Sequence, residues 1–145
     1  MGVVVGDNRV GFREFCMKTK GQIEAEISSA IVKFEQEYLG RGPEETRTYL
    51  IDEMVLVRLR GVLTAAEKSL AKIDASVRGR ALVKQVRIEL LESGRPALEG
   101  MMLEITGRRV VSLHTDVSTK TGERVILFTL DGAPECRVKN GIPSI

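Results

Sequence analysis

Two runs of alternating residues close this chain, joined by a short loop that ends in glycine, and they constrain the fold most. The first run places Val111, Leu113 and Thr115 at every second position. The second run extends over residues 123–130. Alternation with a period of two on both sides of such a loop is typical of a β-hairpin. The sequence therefore predicts a hairpin over about residues 108–131.

An amphipathic helix is predicted near the start of the chain, from about Lys18 to Leu39. Its apolar residues recur at spacings of three and four, and charged residues fill the other positions. Gly40 and Gly42-Pro43 follow, and they offer a left-handed cap and then prevent continuation of the helix. The apolar positions are Ile23, Ile27, Ala30, Ile31, Phe34 and Tyr38.

Residues 45–60 are rich in β-branched and apolar side chains and predict one long strand that is apolar on both faces in its middle. Asp52 and Glu53 interrupt this strand. Neighbouring residues of a regular strand point to opposite faces, so these two carboxylates do not form a joint acid–base pair. One of them faces the more buried side, where it needs a cationic partner or has a functional role in a pocket. The candidate partners are Arg58, Arg60 and Arg124.

The middle of the chain predicts helices. Thr64 and Glu67 have the spacing of a capping box, which opens a short helix that ends at about Lys72. A longer helix from about residue 77 to residue 92 follows. Pro96 then interrupts the pattern before helical spacing resumes up to Gly107, which leaves two helices or one bent helix as alternatives. The apolar stripe assigned to the longer helix is Leu82, Val83, Val86 and Leu90.

These patterns predict the α+β class, with a small antiparallel sheet made of one long strand and the C-terminal hairpin. An N-terminal helix and a central helical segment pack on that sheet. The length of 145 residues suits one domain. We expect this domain to span residues 18–131, between a flexible tail at residues 1–17 and a weakly ordered tail at residues 132–145.

Several classes of protein are excluded by simple features. No apolar run approaches the roughly 18–20 residues of a membrane span, so membrane insertion is not expected. Residues 1–10 lack the basic segment and cleavage pattern of a signal peptide. Cys16 and Cys136 lie near opposite ends of the chain without a CxxC motif, which favours a reduced, cytoplasmic location and leaves a bridge between them open.

The net charge and the absence of known motifs reduce the number of possible functions further. The formal net charge of +2 does not demand nucleic acid or an anionic membrane as partner, and aromatic residues make up only 4%. The chain has neither GxxxxGK[ST] nor GxGxxG, so nucleotide binding through those loops is not expected. No catalytic set, metal-ligand cluster or cofactor motif is present in the sequence, so we predict a protein that is not an enzyme and needs no cofactor.

His114 is the sole histidine of the chain. Alternation places it on one strand face with Ser112 and Asp116. A row along one strand does not have the geometry of a catalytic triad. Two interpretations of His114 therefore stay open: a half-exposed histidine with no role beyond the strand, or a ligand-binding or catalytic residue.

A basic helix face and a polar loop are the other candidate sites. Arg80, Lys84 and Arg87 recur along the longer predicted helix away from its assigned apolar stripe, and they suit phosphates or an acidic partner. A solvated helix face is the alternative. The loop of the C-terminal hairpin holds more hydroxyls and charges than a short turn requires, although turn chemistry explains many of them. The candidate binding residues are His114, Asp116, Ser118, Thr119, Lys120, Thr121, Arg124, Arg80, Lys84 and Arg87, and Arg78, Arg108 and Arg109 extend the basic surface.

Three stretches of the chain carry a family resemblance: His114–Phe128, Gly40–Pro43 and Gly61–Glu67. Together they resemble the MpsC-like family of small bacterial proteins, named after a component of a sodium-translocating system that generates a membrane potential. The resemblance covers about residues 18–131. It implies an accessory role beside a membrane cation or bicarbonate uptake system, with a membrane transporter subunit as partner, and it supplies no catalytic residues.

Three hypotheses for function result. The first is a non-enzymatic, cytoplasmic accessory or regulatory protein that forms a homodimer, because the long strand needs cover on both faces. The second is a small-ligand or anion-binding module that uses the basic helix face and the polar loop. The third is a nucleic-acid-binding protein that uses Arg78, Arg80, Lys84 and Arg87, and the shortage of aromatic residues counts against it.

Overall fold

A four-stranded antiparallel sheet in the order β1–β2–β4–β3 forms the centre of the computed structural model, which describes residues 18–72 and 77–137. Strands β1 (Glu45–Ile51) and β2 (Met54–Arg60) form one hairpin. Strands β3 (Val110–Val117) and β4 (Arg124–Leu130) form the second, and β4 pairs with β2 to join the two. The α+β class and the C-terminal hairpin predicted from sequence are confirmed.

The segment predicted as one long strand is two strands, so that prediction is wrong. Asp52 has a φ of 54°, in the left-handed region, and with Glu53 it forms the two-residue turn that pairs Ile51 with Met54. Aspartate is among the few residues other than glycine that adopt this conformation readily. Both carboxylates are exposed at the tip of the hairpin, so neither needs a buried cationic partner.

The described part of the chain has four helices, of which three contact the sheet and one packs on a neighbouring helix. Helix α1 begins at a capping box of Thr19 and Gln22 and ends at Gly40, which has a φ of 79°. The interruption at Pro96 separates two helices, because proline is tolerated in the first turn, where its missing amide would have no helical partner. The helices are α1 (Lys20–Leu39), α2 (Ala65–Lys72), α3 (Val77–Ser93) and α4 (Arg95–Thr106).

The core lies between the helices and the inner face of the sheet. Helix α1 supplies an isoleucine ladder at a spacing of four, and strands β2 and β4 supply alternating apolar residues. Ser28 of α1 and Thr48 of β1 share a hydrogen bond of 2.7 Å, which ties the helix to the edge strand. The buried apolar residues of α1, β2 and β4 are Ile23, Ile27, Ile31, Phe34, Val55, Val57, Leu59, Ile126, Phe128 and Leu130.

The apolar stripe predicted for α3 is partly wrong. Leu82 and Val86 are 44% and 47% exposed. The buried side instead carries Val83, Arg87 and Leu91, which follow one another at intervals of four residues. A charged residue, Arg87, is tolerated on this buried side because its guanidinium has carboxylate partners in the interior, as shown below.

No described helix covers the middle of the opposite face of the sheet, which we call the outer sheet face; Lys84 of α3 reaches its edge at Asp116. Its residues alternate with those of the core along each strand. Several of them are apolar, and two on the edge strand β1, Tyr49 and Ile51, are 40% and 45% exposed. The face is formed by Arg47, Tyr49, Ile51, Met54, Leu56, Arg58, Val125, Leu127, Thr129, Ser112, His114 and Asp116.

Residues 132–137, predicted as part of a tail, lie against the domain. The amide of Arg137 donates to the carbonyl of Lys18 at 2.7 Å, and Cys136 packs on the core. The predicted tails at residues 1–17 and 138–145 lie outside the described residues, and so does Cys16. Among residues 18–72 and 77–137, no helix has the length and apolar character that crossing a membrane requires.

Candidate functional site

A wide, open cleft runs between the β3–β4 loop and helices α2 and α3, and we call it the basic cleft. It has two adjoining parts of about 670 Å³ and 1170 Å³, which share Arg80, Thr119, Lys120 and Glu123. Seven cationic side chains line the two parts, against three carboxylates. The cations are Arg58, Arg60, Lys68, Lys72, Arg80, Lys84 and Lys120, and the carboxylates are Glu44, Asp116 and Glu123.

Helix α2 forms one wall of the basic cleft, and its start is held by the predicted capping box. The Thr64 amide donates to Glu67 Oε1 at 2.8 Å, and the Glu67 amide donates to Thr64 Oγ1 at 3.1 Å. The helix then presents Lys68 and Lys72 to the cleft, four residues apart and therefore on one side. The capping box predicted from sequence is confirmed, and it orients two of the seven cations.

The β3–β4 loop forms the opposite wall, and two of its hydroxyls have structural roles. Ser118 Oγ accepts from the amide of Thr121, and Thr121 Oγ1 accepts from the amide of Glu123, both at 3.2 Å. Gly122 has a φ of 77°, which glycine adopts without strain. Its carbonyl accepts from the amide of Val62 at 3.2 Å and so ties the loop to the segment before α2.

The charges along the basic cleft are only partly neutralised. Arg58 pairs with Glu123, and Lys84 Nζ lies 3.2 Å from Asp116 Oδ1. Lys68, Lys72 and Lys120 form no ion pair with any residue in the described ranges. Like charges held along an open groove raise the local concentration of anions. The cleft is therefore an electropositive surface with capacity for an anionic ligand.

A buried ion network lies behind the cleft and connects its walls. Glu35 of α1 is fully buried, and its two oxygens accept from two arginines. Arg124 Nη1 lies 3.2 Å from Glu35 Oε2, and Arg87 Nη1 lies 3.4 Å from Glu35 Oε1. Arg124 Nε also donates to Thr115 Oγ1 at 3.1 Å. Helices α1 and α3 and strand β4 thus share one carboxylate.

Arg87 extends the buried ion network to α2. Its Nε and Nη2 donate to the two oxygens of Glu67 at 2.9 Å and 2.8 Å, which is a bidentate pair. Nη2 also donates to the carbonyl of Val62 at 2.5 Å. Because Glu67 caps α2, the guanidinium of Arg87 fixes α2 against α3. The network, defined as Glu35, Glu67, Arg87 and Arg124, therefore ties together elements on both sides of the basic cleft.

Burial and hydrogen bonding shift the pKa of three side chains in this network. Burial raises the pKa of Glu35, although the charges of Arg124 and Arg87 oppose the change. Burial also lowers the pKa of Arg124, which nevertheless stays charged as arginine does in proteins. At Glu67 the effect of burial is outweighed by hydrogen bonds from Arg87 and from Thr64, so its pKa is held below the usual value. Two cations and two carboxylates balance in the interior.

Replacing Glu67 by glutamine is expected to make stability less dependent on pH. The pKa of Glu67 in the folded protein lies below its usual value of 4.5, so the unfolded chain binds the proton more readily. The contribution of Glu67 is therefore complete above about pH 4.5 and is lost as the pH falls through the folded pKa. Urea unfolding should show Glu67→Gln to be less stable by about 1.5–3 kcal/mol at neutral pH, with a smaller deficit near pH 3.5.

The matched control for that experiment is Glu104→Gln, which changes an exposed carboxylate of α4. We expect its stability to stay within about 0.5 kcal/mol of the unmodified chain at both pH values. A deficit of Glu67→Gln that is equal at both pH values would contradict the role assigned to the charge of Glu67.

The structure brings seven of the ten predicted site residues together at the basic cleft and places three elsewhere. His114 is exposed on the outer sheet face. Arg87 and Arg124 are 3% and 1% exposed, so the placement of Arg87 on an accessible basic helix face, whether binding or solvated, is wrong. Their carboxylate partners draw both guanidinium groups inward. That the residues at the cleft bind a ligand stays a prediction. The seven that line it are Arg80, Lys84, Asp116, Ser118, Thr119, Lys120 and Thr121.

Sequence reasoning missed several residues of this region. Lys68 and Lys72 were not considered, although their spacing of four on a capped helix places them on one side. Glu35 was missed although it follows Ile27 and Ile31 at intervals of four, which marks a carboxylate on the buried stripe of α1. In the described part of the chain no group of three or more histidine, cysteine, aspartate or glutamate side chains has an arrangement that could hold a metal ion.

Comparison with known proteins identifies the family. The family model described as "Na+-translocating membrane potential-generating system (MpsC)" matches residues 19–132. The chain is 46% identical over 113 residues to "Uncharacterized protein YbcI" of Bacillus subtilis (strain 168), which covers 78% of this chain and 89% of that protein. It is 30% identical over 108 residues to "Uncharacterized protein YrhF" of the same strain, covering 73% of this chain and 85% of the relative. No solved structure matches the chain. By its family model and its relatives, the chain belongs to the MpsC family.

Proposed function

We propose that this protein is a non-enzymatic regulatory or accessory protein that binds a phosphate-bearing ligand in the basic cleft. The observation that carries the proposal is the set of three lysines that line the cleft without ion-pair partners among the described residues: Lys68 and Lys72 on one wall and Lys120 on the other. Clustered uncompensated cations cost stability through mutual repulsion. An anion that binds between them removes this cost.

A ligand with several phosphate oxygens suits this geometry better than a single small anion. The lysines belong to α2 and to the β3–β4 loop, so one small anion contacts only part of the set. Lysine donates to phosphate as a mobile point charge, without the fixed fork of arginine. Thr119 lines both parts of the cleft and offers a hydroxyl beside these charges.

The accessory role is supported by the description of the family, which names a sodium-translocating system that generates a membrane potential. We propose that the ligand-bound and ligand-free forms of this chain act differently on a membrane transporter subunit. Immunoprecipitation of the unmodified chain from its native host is expected to recover an integral membrane protein in stoichiometric amount. Recovery of this chain alone, after cross-linking in cells, would overturn the accessory role.

Ligand binding is tested by thermal unfolding with inorganic pyrophosphate, ATP, inorganic phosphate and bicarbonate. At ten times its dissociation constant, a specific ligand stabilises the folded state by about 1.4 kcal/mol. For a chain of this size we expect a rise in Tm of about 4 °C with pyrophosphate or ATP, and less with the two smaller anions. Sodium chloride at equal ionic strength is the reference.

The variant for this test is the double substitution Lys68→Gln and Lys120→Gln, which removes one charge from each wall of the cleft. It is expected to abolish the rise in Tm. Lys33→Gln, an exposed lysine of α1 that does not line the cleft, should keep it. An equal rise in the double variant, or no rise with any of the anions, would overturn the proposed ligand site.

A further inference from the structure

We propose that the outer sheet face is the interface of a homodimer, in which two copies stack sheet on sheet about a two-fold axis parallel to their strands. The proposal does not depend on which ligand the basic cleft binds, although Arg58, Val125 and Asp116 of this face also line the cleft. It begins from the half-buried apolar band along the middle of a face that no described helix covers. Contiguous apolar patches of this kind on a protein surface mark interaction sites.

The strand register arranges the outer sheet face in three rows that cross all four strands. The central row is apolar apart from one end, where His114 stands on the edge strand β3. A second row has arginines at the β1 side and a carboxylate at the β3 side. The central row is Tyr49, Leu56, Leu127 and His114; the charged row is Arg47, Arg58, Val125 and Asp116; the third row is Ile51, Met54, Thr129 and Ser112.

The charged row makes this face complementary to itself. Arg47 and Asp116 occupy its two ends, on the two edge strands of the sheet. A two-fold axis parallel to the strands lays β1 of one copy over β3 of the other. Arg47 of each copy then stands opposite Asp116 of the other, and this contact occurs twice because a two-fold interface is isologous. Stacked sheets cross at about 30°, an offset that the long side chain of arginine accommodates.

The central row is matched by the same operation. Leu56 of one copy falls over Leu127 of the other, and Tyr49 falls over His114. A two-fold axis perpendicular to the strands would instead lay the charged row over the third row and put Arg47 against Ile51. That arrangement leaves Arg47 and Asp116 without opposite charges facing them, which is costly. The parallel axis pairs them, and Arg58, which then lies over Val125, keeps Glu123 of its own chain as a partner. The parallel axis is therefore the one that the residues favour.

Both charged ends are open to a second partner. The side chain of Asp116 is 68% exposed although Lys84 lies 3.2 Å away, and the side chain of Arg47 is 66% exposed beside Glu45. Exposed ion pairs of this kind contribute little to stability within one chain. Across an interface the same charges set the orientation and penalise wrong alignments.

The size of the face predicts a reversible dimer. Four strands spaced about 4.8 Å apart, each about seven residues long, cover roughly 19 Å by 23 Å. This is about half of the roughly 800 Å² per partner in a standard stable interface. We therefore expect a dissociation constant in the micromolar range, so that monomer and dimer are both visible by sedimentation between about 1 μM and about 500 μM.

Charge exchange between the two ends of the charged row tests the axis. Arg47→Asp and Asp116→Arg each place like charges opposite one another, and each is expected to weaken the dimer at least about tenfold. The double variant restores opposite charges and should return to within about threefold of the unmodified chain. Far-ultraviolet circular dichroism is the control that checks whether each variant is folded. A double variant as weak as the single ones would overturn the two-fold arrangement.

A second pair of variants tests the apolar band. Tyr49→Asp puts a charge in the central row, whereas Leu103→Asp changes a side chain of equal exposure on helix α4, 41% against 40%. We expect dimerisation to be lost in the first and kept in the second. Equal behaviour of the two, or a monomer at every concentration, would overturn the proposal. A monomer in which Tyr49 resists iodination would mean that a segment outside residues 18–72 and 77–137 covers the face, and it would overturn the proposal as well.

Discussion

Glu35→Gln is expected to lower the free energy of unfolding by about 3–5 kcal/mol, because it leaves Arg124 charged and buried without its carboxylate. Glu35 and Arg124 are 0% and 1% exposed, so water cannot replace the lost partner. Arg87 retains Glu67 and is less affected. In urea the midpoint of unfolding should fall by roughly 2 M.

The control for this substitution is Glu37→Gln, which changes an exposed carboxylate two residues further along the same helix. Its midpoint should stay close to that of the unmodified chain. If the cost comes from the orphaned charge, the double variant Glu35→Gln with Arg124→Gln is expected to recover part of the loss. If the losses in unfolding free energy of the two single variants simply add in the double variant, the buried ion network is contradicted. A midpoint of unfolding unchanged by Glu35→Gln would contradict it too.

Gly79→Ala is expected to destabilise the protein by about 1–3 kcal/mol and to weaken anion binding at the same time. A Cβ at Gly79 overlaps the carbonyl oxygen of Leu70, and this is backbone that cannot rotate away. Helices α2 and α3 must therefore separate. These helices carry Lys72 and Lys84, so the cations on the helical side of the basic cleft move relative to each other. Thermal unfolding and the rise in Tm with pyrophosphate measure the two effects.

Gly100→Ala is the matched control, because it makes the same change within a helix where a Cβ meets nothing within 4 Å. Alanine is the better helix former, so this variant should gain about 0.5–1 kcal/mol. Opposite signs for the two substitutions are expected. A gain in stability for Gly79→Ala would show that the two helices are not packed as closely as the structure has them.

Local patterns were enough to predict much of this fold. The helical period of α1, the capping box of Thr64 and the alternation of β3 and β4 each depend on residues close in sequence. The turn at Asp52 was missed because aspartate is common in many settings, and its left-handed conformation is selected only when β1 and β2 pair. Tertiary pairing thus decided between one strand and a hairpin.

The candidate site was predicted less completely, for a physical reason. Arg87 and Arg124 look like surface cations in the sequence, and only the fold brings Glu35 to them, from 52 and 89 residues away. Their positions nevertheless contain a signal, since Arg87 lies four residues after Val83 and Arg124 alternates with Ile126. A charge in phase with a buried stripe predicts a partner of opposite sign. The identity of that partner depends on contacts between distant segments, which one sequence does not show.

The strand order has a consequence for synthesis of the chain. Strand β4 is the last to leave the ribosome, yet it lies between β2 and β3 in the finished sheet. Until it is complete, β2 has an open edge, and the isoleucines of α1 lack the apolar side chains of β4 in the core. An open edge beside exposed apolar residues is a template for pairing with other chains. We therefore expect chains that end before Arg124 to aggregate, because they lack the whole of β4 and cannot fold into a smaller protein.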